Sequence, residues 1–219
     1  MSKKIKSPSL DSKFCFEIFN TEINLKNCIE LVNQTDWFSY ENFDKKYEGY
    51  HGIGLTGFEN SANIELDSLT IYQEISRKTD NDKSEINWQN MSARTKNVKG
   101  FMIDFFDNLK FKPQRARFSK IDPGKSISLH RDDYMENMTR VHWPVISSPE
   151  NIMFNYDEEN KKIDRYYLEP GRCYAINTNL LHGIKNNSNI SRVHLIINFS
   201  VPFEKMKEYS SKGLLHEKI

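Results

Sequence analysis

The segment SLHRDD places His130 and Asp132 two residues apart. On an extended chain that spacing turns both side chains to one face, while Asp133 turns to the other. An imidazole and a carboxylate so disposed can share a cation, but so short a pattern recurs by accident and needs a third member. NTNLLHGIKN supplies one fifty residues on, at His182, where a strand edge before Gly183 can aim the ring inward. Two neutral imidazoles and a carboxylate occupy one face of an octahedron and leave the remaining positions open, which is the facial triad of non-haem iron oxygenases. The expectation is Fe(II) on His130, Asp132 and His182, with an open face for a chelating co-substrate and then O2.

Ten residues beyond His182, Arg192 opens the strand RVHLIINFSV. Alternation sets Arg192, His194, Ile196 and Asn198 on one face and Val193, Leu195, Ile197 and Phe199 on the other. An arginine facing a protein interior needs an anion, and a dicarboxylate such as 2-oxoglutarate supplies one through paired, charge-assisted hydrogen bonds. The strand TRVHWPVI repeats the arrangement, with Arg140 and His142 opposite Val141, Trp143 and Val145.

These residues must be carried by strands, and the chain changes period accordingly. Leu25, Cys28, Ile29 and Val32 recur at helical spacing within residues 23–32, with Trp37 and Phe38 as core anchors behind them. Val98, Phe101, Met102, Phe105, Phe106 and Leu109 predict a second helix over residues 92–109. Beyond Pro113 come short strands divided by PG, SSPEN, DEEN and NNSN turns. The reading is an α+β protein in one domain over residues 1–219, with a flexible leader at 1–13, helical support and additional strands at 14–112, and a β body at 113–203. Residues 47–84 carry no assigned chemistry; Trp37, Tyr47, Tyr50 and Trp88 could line a pocket, but core packing explains each more simply.

Composition narrows the class. The 219 residues suffice for a sizeable core, and 31 basic against 30 acidic side chains leave a net charge of +1, which does not favour nucleic acid as a partner. Cys15, Cys28 and Cys173 form no CxxC pair, and no apolar run is long enough for a membrane span or a signal-peptide core. A soluble protein of the reducing cytoplasm is expected. HRDDYMEN fits a kinase catalytic loop and GIGLTG a GxGxxG pattern, but no DFG, APE or VAIK-like lysine accompanies them. The remaining alternative is a non-catalytic, cupin-like metal or small-molecule binding module.

Residues from about Phe118 to Val201 resemble the aspartyl/asparaginyl β-hydroxylase family of 2-oxoglutarate oxygenases, which includes free-proline hydroxylases. FSKIDPGKSISLH is similar to the family segment in which a serine precedes a Pro-Gly turn and the first metal histidine, which implies that Ser119 helps hold the distal carboxylate of 2-oxoglutarate. RVHWPV resembles its R-x-H strand and implies co-substrate contacts for Arg140 and His142. LEPGRCYAINTNLLHGIKNNSNISRVHLIINF resembles its closing stretch, which implies the distal ligand at His182 and the carboxylate anchor at Arg192. The resemblance implies a double-stranded β-helix, a jelly-roll barrel of cupin type, supported by N-terminal helices. It also implies hydroxylation of an aliphatic C–H, with an amino acid, free or peptidyl, as the substrate class and succinate and CO2 as co-products. Asp132 is retained where some members carry glycine, which argues against halogenation.

Overall fold

The computed structural model describes residues 5–69, 90–132 and 137–216. A seven-stranded antiparallel sheet runs in the order β1 (Cys15–Ile18), β11 (Cys173–Ile176), β8 (Thr139–Ile146), β13 (Arg192–Phe199), β6 (Gln114–Ile121), β3 (Tyr50–Gly54) and β2 (Phe38–Ser39). A four-stranded sheet runs β10 (Lys162–Tyr167), β9 (Asn151–Asp157), β12 (His182–Asn186) and β7 (Ser126–His130), and a small pair joins β4 (Thr56–Gly57) to β5 (Ala93–Arg94). From β6 onward the chain passes back and forth between the two large sheets, which is the winding of a jelly roll.

Alternation along the central strands divides the interior. Val193, Leu195, Ile197 and Phe199 of β13 join Val141, Trp143 and Val145 of β8 in the larger hydrophobic core. That core is covered from outside by Cys28, Leu31 and Val32 of α1 (Leu25–Asn33), by Met102 and Phe106 of the third helix, and by Phe203 and Met206 of the last. A second cluster, including Ile121, Tyr174 and Ile176 from one sheet and Met153 and Ile184 from the other, closes part of the space between the sheets. Polar residues of the same inward faces line the rest.

Helices are few and short among the described residues: α1, α2 (Ile64–Asp67), α3 (Phe101–Asp107) and α4 (Phe203–Met206). None is long and apolar enough to cross a membrane. The side chain of Asn24 caps α1 by accepting from the Asn27 N–H at 3.1 Å. The helix expected over residues 92–109 exists only at Phe101–Asp107. Upstream, Thr95 is tied to β3 through its hydroxyl on the Gly54 carbonyl at 2.9 Å, and Gly100 takes a left-handed φ of 55°. Val98 and Leu109 still enter the core, so the periodicity reported burial over a longer span than helix. Trp37 packs against that core as expected, and Tyr50 packs against the second cluster while also lining a cavity with Tyr47; Trp88 lies outside the described residues. The leader stretch contacts β10, where the Lys6 N–H donates to the Arg165 carbonyl at 2.7 Å.

Candidate metal centre

β7 and β12 are neighbours, and their register sets His130 directly opposite His182 with ring centroids 4.3 Å apart. Asp132 follows β7, where its N–H donates to the Thr178 carbonyl at 3.0 Å. One carboxylate oxygen lies 3.7 Å from His130 Nε2 and the other 3.9 Å from His182 Nε2. Asp133, expected to face away, is outside the described residues.

Backbone contacts set the ring orientations. His130 Nδ1 is 2.8 Å from the Ser128 carbonyl and His182 Nδ1 is 2.9 Å from the Leu180 carbonyl. A carbonyl only accepts, so each Nδ1 carries the proton and each Nε2 keeps the lone pair a metal requires. Burial pushes the Asp132 carboxyl up, but the Arg140 guanidinium, then His182 and His130, outweigh it and hold it at about 2. Burial lowers His182 to about 4 against the opposing pull of Asp132, so both groups stand in their ligating forms at neutral pH.

The seven-stranded sheet supplies the opposite wall. Arg140 donates to the Asp132 carboxylate and, through Nε, to Asn198 Oδ1 at 3.2 Å. His142 Nδ1 lies 3.3 Å from His194 Nδ1, which also accepts from Arg192 Nη2 at 3.0 Å. Accepting there places the His194 proton on Nε2. Arg192 is 2 % exposed; among the described residues its Nη1 and His194 Nε2 are buried without a hydrogen-bond partner, as are His142 Nε2 and Arg140 Nη2. Ser119 faces His194 across the β6–β13 ladder and lines the cavity.

A cavity of ≈ 650 Å³ is lined by the three clustered residues, Ser119, Arg140 and His142 among others, and His142 links it to His194 and through it to Arg192. The donor set fits a divalent ion: two imidazole nitrogens and one carboxylate oxygen all lie within 4.8 Å of one another. The unpartnered Arg192 and His194 donors fit the far end of a dianionic chelator. Reading from sequence missed His194 as part of this chain of contacts, along with Thr178, Tyr40, Arg115 and Arg117, which also line the cavity. The available signal was alternation: Arg117 shares a strand face with Ser119.

Gly183 is a point of close approach. A Cβ there would meet the Phe154 ring at 2.5 Å and the Ile127 carbonyl at 2.7 Å. Gly183→Ala should therefore push β12 from β7, cost about 1–3 kcal/mol and weaken metal affinity about tenfold by separating His182 from His130. Urea unfolding and Mn(II) titration measure both effects, and wild-type values would remove this role for the glycine.

The buried histidines also set an acid limit. Burial lowers His142, His182 and His194 from the ordinary 6.5, with Arg192 adding to the effect on His142 and His194. Below that value the unfolded chain takes up protons that the folded form refuses. Stability of the metal-free protein is therefore complete above pH 6.5 and declines as the pH falls towards the folded values. Between about pH 7 and 5.5 the loss should be about 1 kcal/mol per histidine, read as a fall in urea midpoint; a constant or rising midpoint would contradict it.

A model of the aspartyl/asparaginyl beta-hydroxylase family matches residues 59–202, about two thirds of the chain. No curated protein matches the sequence. Among solved structures, an oxidoreductase of the 2OG-Fe(II) oxygenase family from Burkholderia pseudomallei aligns over 81% of this chain and 78% of its own, at 9% identity and a TM-score of 0.48. A cupin domain from Bordetella pertussis aligns over 40% of this chain and 80% of its own, at 18% identity and a TM-score of 0.31. A nickel complex of the non-heme monooxygenase ThoJ aligns over 48% and 54%, at 14% identity and 0.33. These structural likenesses are remote and carry no substrate with them. With the family model spanning the strands that hold His130, Asp132, His182 and Arg192, the chain belongs to the aspartyl/asparaginyl beta-hydroxylase family and is a 2-oxoglutarate-dependent oxygenase using Fe(II) and O2.

Proposed function

We propose that the protein hydroxylates an aliphatic C–H of an amino acid, free or within a peptide, on a double-stranded β-helix. The observation that carries this reading is an open three-ligand centre on a cavity whose wall residue His142 joins it to His194 and the buried Arg192, with Arg192 Nη1 and His194 Nε2 meeting no acceptor among the described residues. When bound, Fe(II) with 2-oxoglutarate and O2 supplies the oxidant: one oxygen atom enters the substrate as hydroxyl, and the co-substrate leaves as succinate and CO2.

His130, Asp132 and His182 hold the ion from one side and leave the other for exchange. Arg192 anchors the distal carboxylate of 2-oxoglutarate, with Ser119 beside it and the His142–His194 pair holding the guanidinium's surroundings rigid. Arg140 keeps Asp132 ionised and oriented through their direct contact, and shares the wall with His142. Retention of Asp132 supports hydroxylation over halogenation, because the carboxylate occupies the position a halide would need. The buried, unpaired Cys15, Cys28 and Cys173 suit a reducing cytoplasm.

Succinate release measured with Fe(II), 2-oxoglutarate and a panel of amino acids and peptides, together with a gain of one oxygen by mass, tests the reading. Metal and 2-oxoglutarate binding with no product from any member would leave a binding module.

A further inference from the structure

We infer that Asn177 is a positioning residue for the metal centre: it fastens the loop between β11 and β12 to residues 13–14 of the N-terminal segment, and so aims the carbonyls that orient Asp132 and His182. The inference rests on the metal reading of His130, Asp132 and His182 and adds to it the part of the chain that holds two of the three in place.

The loop, residues 177–181, carries the chain from the seven-stranded sheet to the four-stranded one. Two of its carbonyls meet the ligand set. Thr178 accepts from the Asp132 N–H at 3.0 Å, and Leu180 accepts from His182 Nδ1 at 2.9 Å. His130 is oriented separately, by the Ser128 carbonyl of its own strand. A shift of the loop therefore changes the spacing within the triad instead of carrying the three groups along together.

What fixes the loop lies far away in the sequence. The β1–β11 ladder sets Cys15 opposite Ile176, and one more rung follows, in which the Asn177 N–H donates to the Phe14 carbonyl at 2.8 Å. Asn177 Nδ2 then donates to the Lys13 carbonyl at 3.1 Å. The side chain thus continues the pairing at the point where the backbone turns away towards the other sheet. Asn177 Oδ1 accepts from the Asn179 N–H at 3.3 Å, and the Asn177 carbonyl accepts from the Leu180 N–H at 3.3 Å, which closes the turn. An amide serves both partners at once, as donor to the N-terminal segment and acceptor within the loop, which a carboxylate does not. At its far end the loop is tied to β9, where the Leu181 carbonyl accepts from the Tyr156 N–H at 2.9 Å.

The N-terminal segment is itself held at this point. Ser12 Oγ accepts from the N–H groups of Phe14 and Cys15, each at 3.1 Å. The buried Phe14 ring lies 5.4 Å from the Tyr166 ring of β10 and 6.2 Å from the His182 ring. The residue whose carbonyl receives Asn177 therefore also packs against the ligand that the loop orients.

The test is titration of the metal-free full chain with Co(II), without 2-oxoglutarate, followed by the visible d–d absorption, which reports both occupancy and the arrangement of the ligands. Asn177→Ala and Asn177→Ser should each weaken Co(II) binding about tenfold, the low end of what loss of a supporting contact costs a metal site, and alter the shape of the band. Asn177→Ser keeps an acceptor for the Asn179 N–H but is too short to reach Lys13, so equal loss in the two variants assigns the effect to the tie with the N-terminal segment. Wild-type behaviour in Asn177→Ser with loss in Asn177→Ala would place the effect in the loop's own turn and overturn the inference. Thr95→Val removes a hydrogen bond to the Gly54 carbonyl, outside the cavity lining, and should lower the melting temperature with Co(II) affinity and spectrum unchanged. Weakening by Thr95→Val equal to that of the Asn177 variants would mean that Co(II) binding follows overall stability, which also overturns the positioning role. Unchanged affinity and spectrum in both Asn177 variants overturn it while leaving the metal reading intact. If the wild-type chain binds no Co(II), the metal reading falls and the inference with it.

Discussion

Replacing Asp132 by alanine should lower turnover about a thousandfold or more while the protein keeps its fold, because the change removes an anionic ligand worth several kcal/mol and little core volume. Its carboxylate meets Arg140 of β8, but no strand ladder depends on it. It lies beyond the end of β7 with a side chain 18% exposed, and its N–H contact to Thr178 is made by the backbone and survives the substitution. Arg140 loses one acceptor but keeps Asn198. Asp132→Asn leaves an acceptor for Arg140 without the charge, and should be as inactive and more stable than the alanine variant. Circular dichroism and succinate release should therefore separate in both variants. Normal turnover in either would show that the ligand is elsewhere, and outright unfolding of both would make the residue structural.

Arg192→Ala should raise the dissociation constant for 2-oxoglutarate about a hundredfold or more, since each charge-assisted hydrogen bond lost costs roughly 1.5–3 kcal/mol. The structure sharpens the reason. Arg192 is buried, it spends one nitrogen on His194, and its Nη1 has no acceptor among the described residues, a donor that the proposed co-substrate carboxylate would satisfy. Affinity for Mn(II) should barely change, because the metal ligands sit on the other sheet. Arg192→Lys should recover only part of the loss, since an ammonium keeps the charge without the planar fork and cannot reach both His194 and an anion. Anaerobic calorimetry of the metal-loaded variants decides this, and a wild-type constant in Arg192→Ala would withdraw the co-substrate role.

What could be read in advance follows from which features are local. His130 and His182 were legible because their residue types are rare and their strands regular, and the two-residue period placed Arg140, His142 and Arg192 on inward faces. The pairing of β7 with β12 that sets the two histidines opposite each other is a long-range register, which no local pattern encodes. The same limit hid the contact between Arg140 and Asp132, which depends on two sheets meeting. Arg117 shares an alternating face with Ser119, but Arg115 precedes the strand legible in the sequence and sits at a register irregularity that no local pattern marks. Tyr40, Tyr47 and Tyr50 belong to turns and an outer strand in a stretch without clear period, and they reach the cavity only through tertiary packing. The overlong helix at residues 92–109 erred in the opposite direction, because apolar spacing persists through a turn pinned by Thr95.

The division of labour between the sheets has a mechanical consequence. His130 and His182 ride on the four-stranded sheet and Arg192, the proposed carboxylate anchor, on the seven-stranded one. The span that one small molecule must bridge is therefore the gap between two layers, about 10 Å in packed sheets. That makes the catalyst a caliper, its jaws set by the apolar cluster of Met153, Ile184, Ile121 and Tyr174 that holds the layers together. Warming that loosens this seam would leave each jaw intact while spoiling the gauge, so competence should fade below the melting point, with ion still bound and strands still paired.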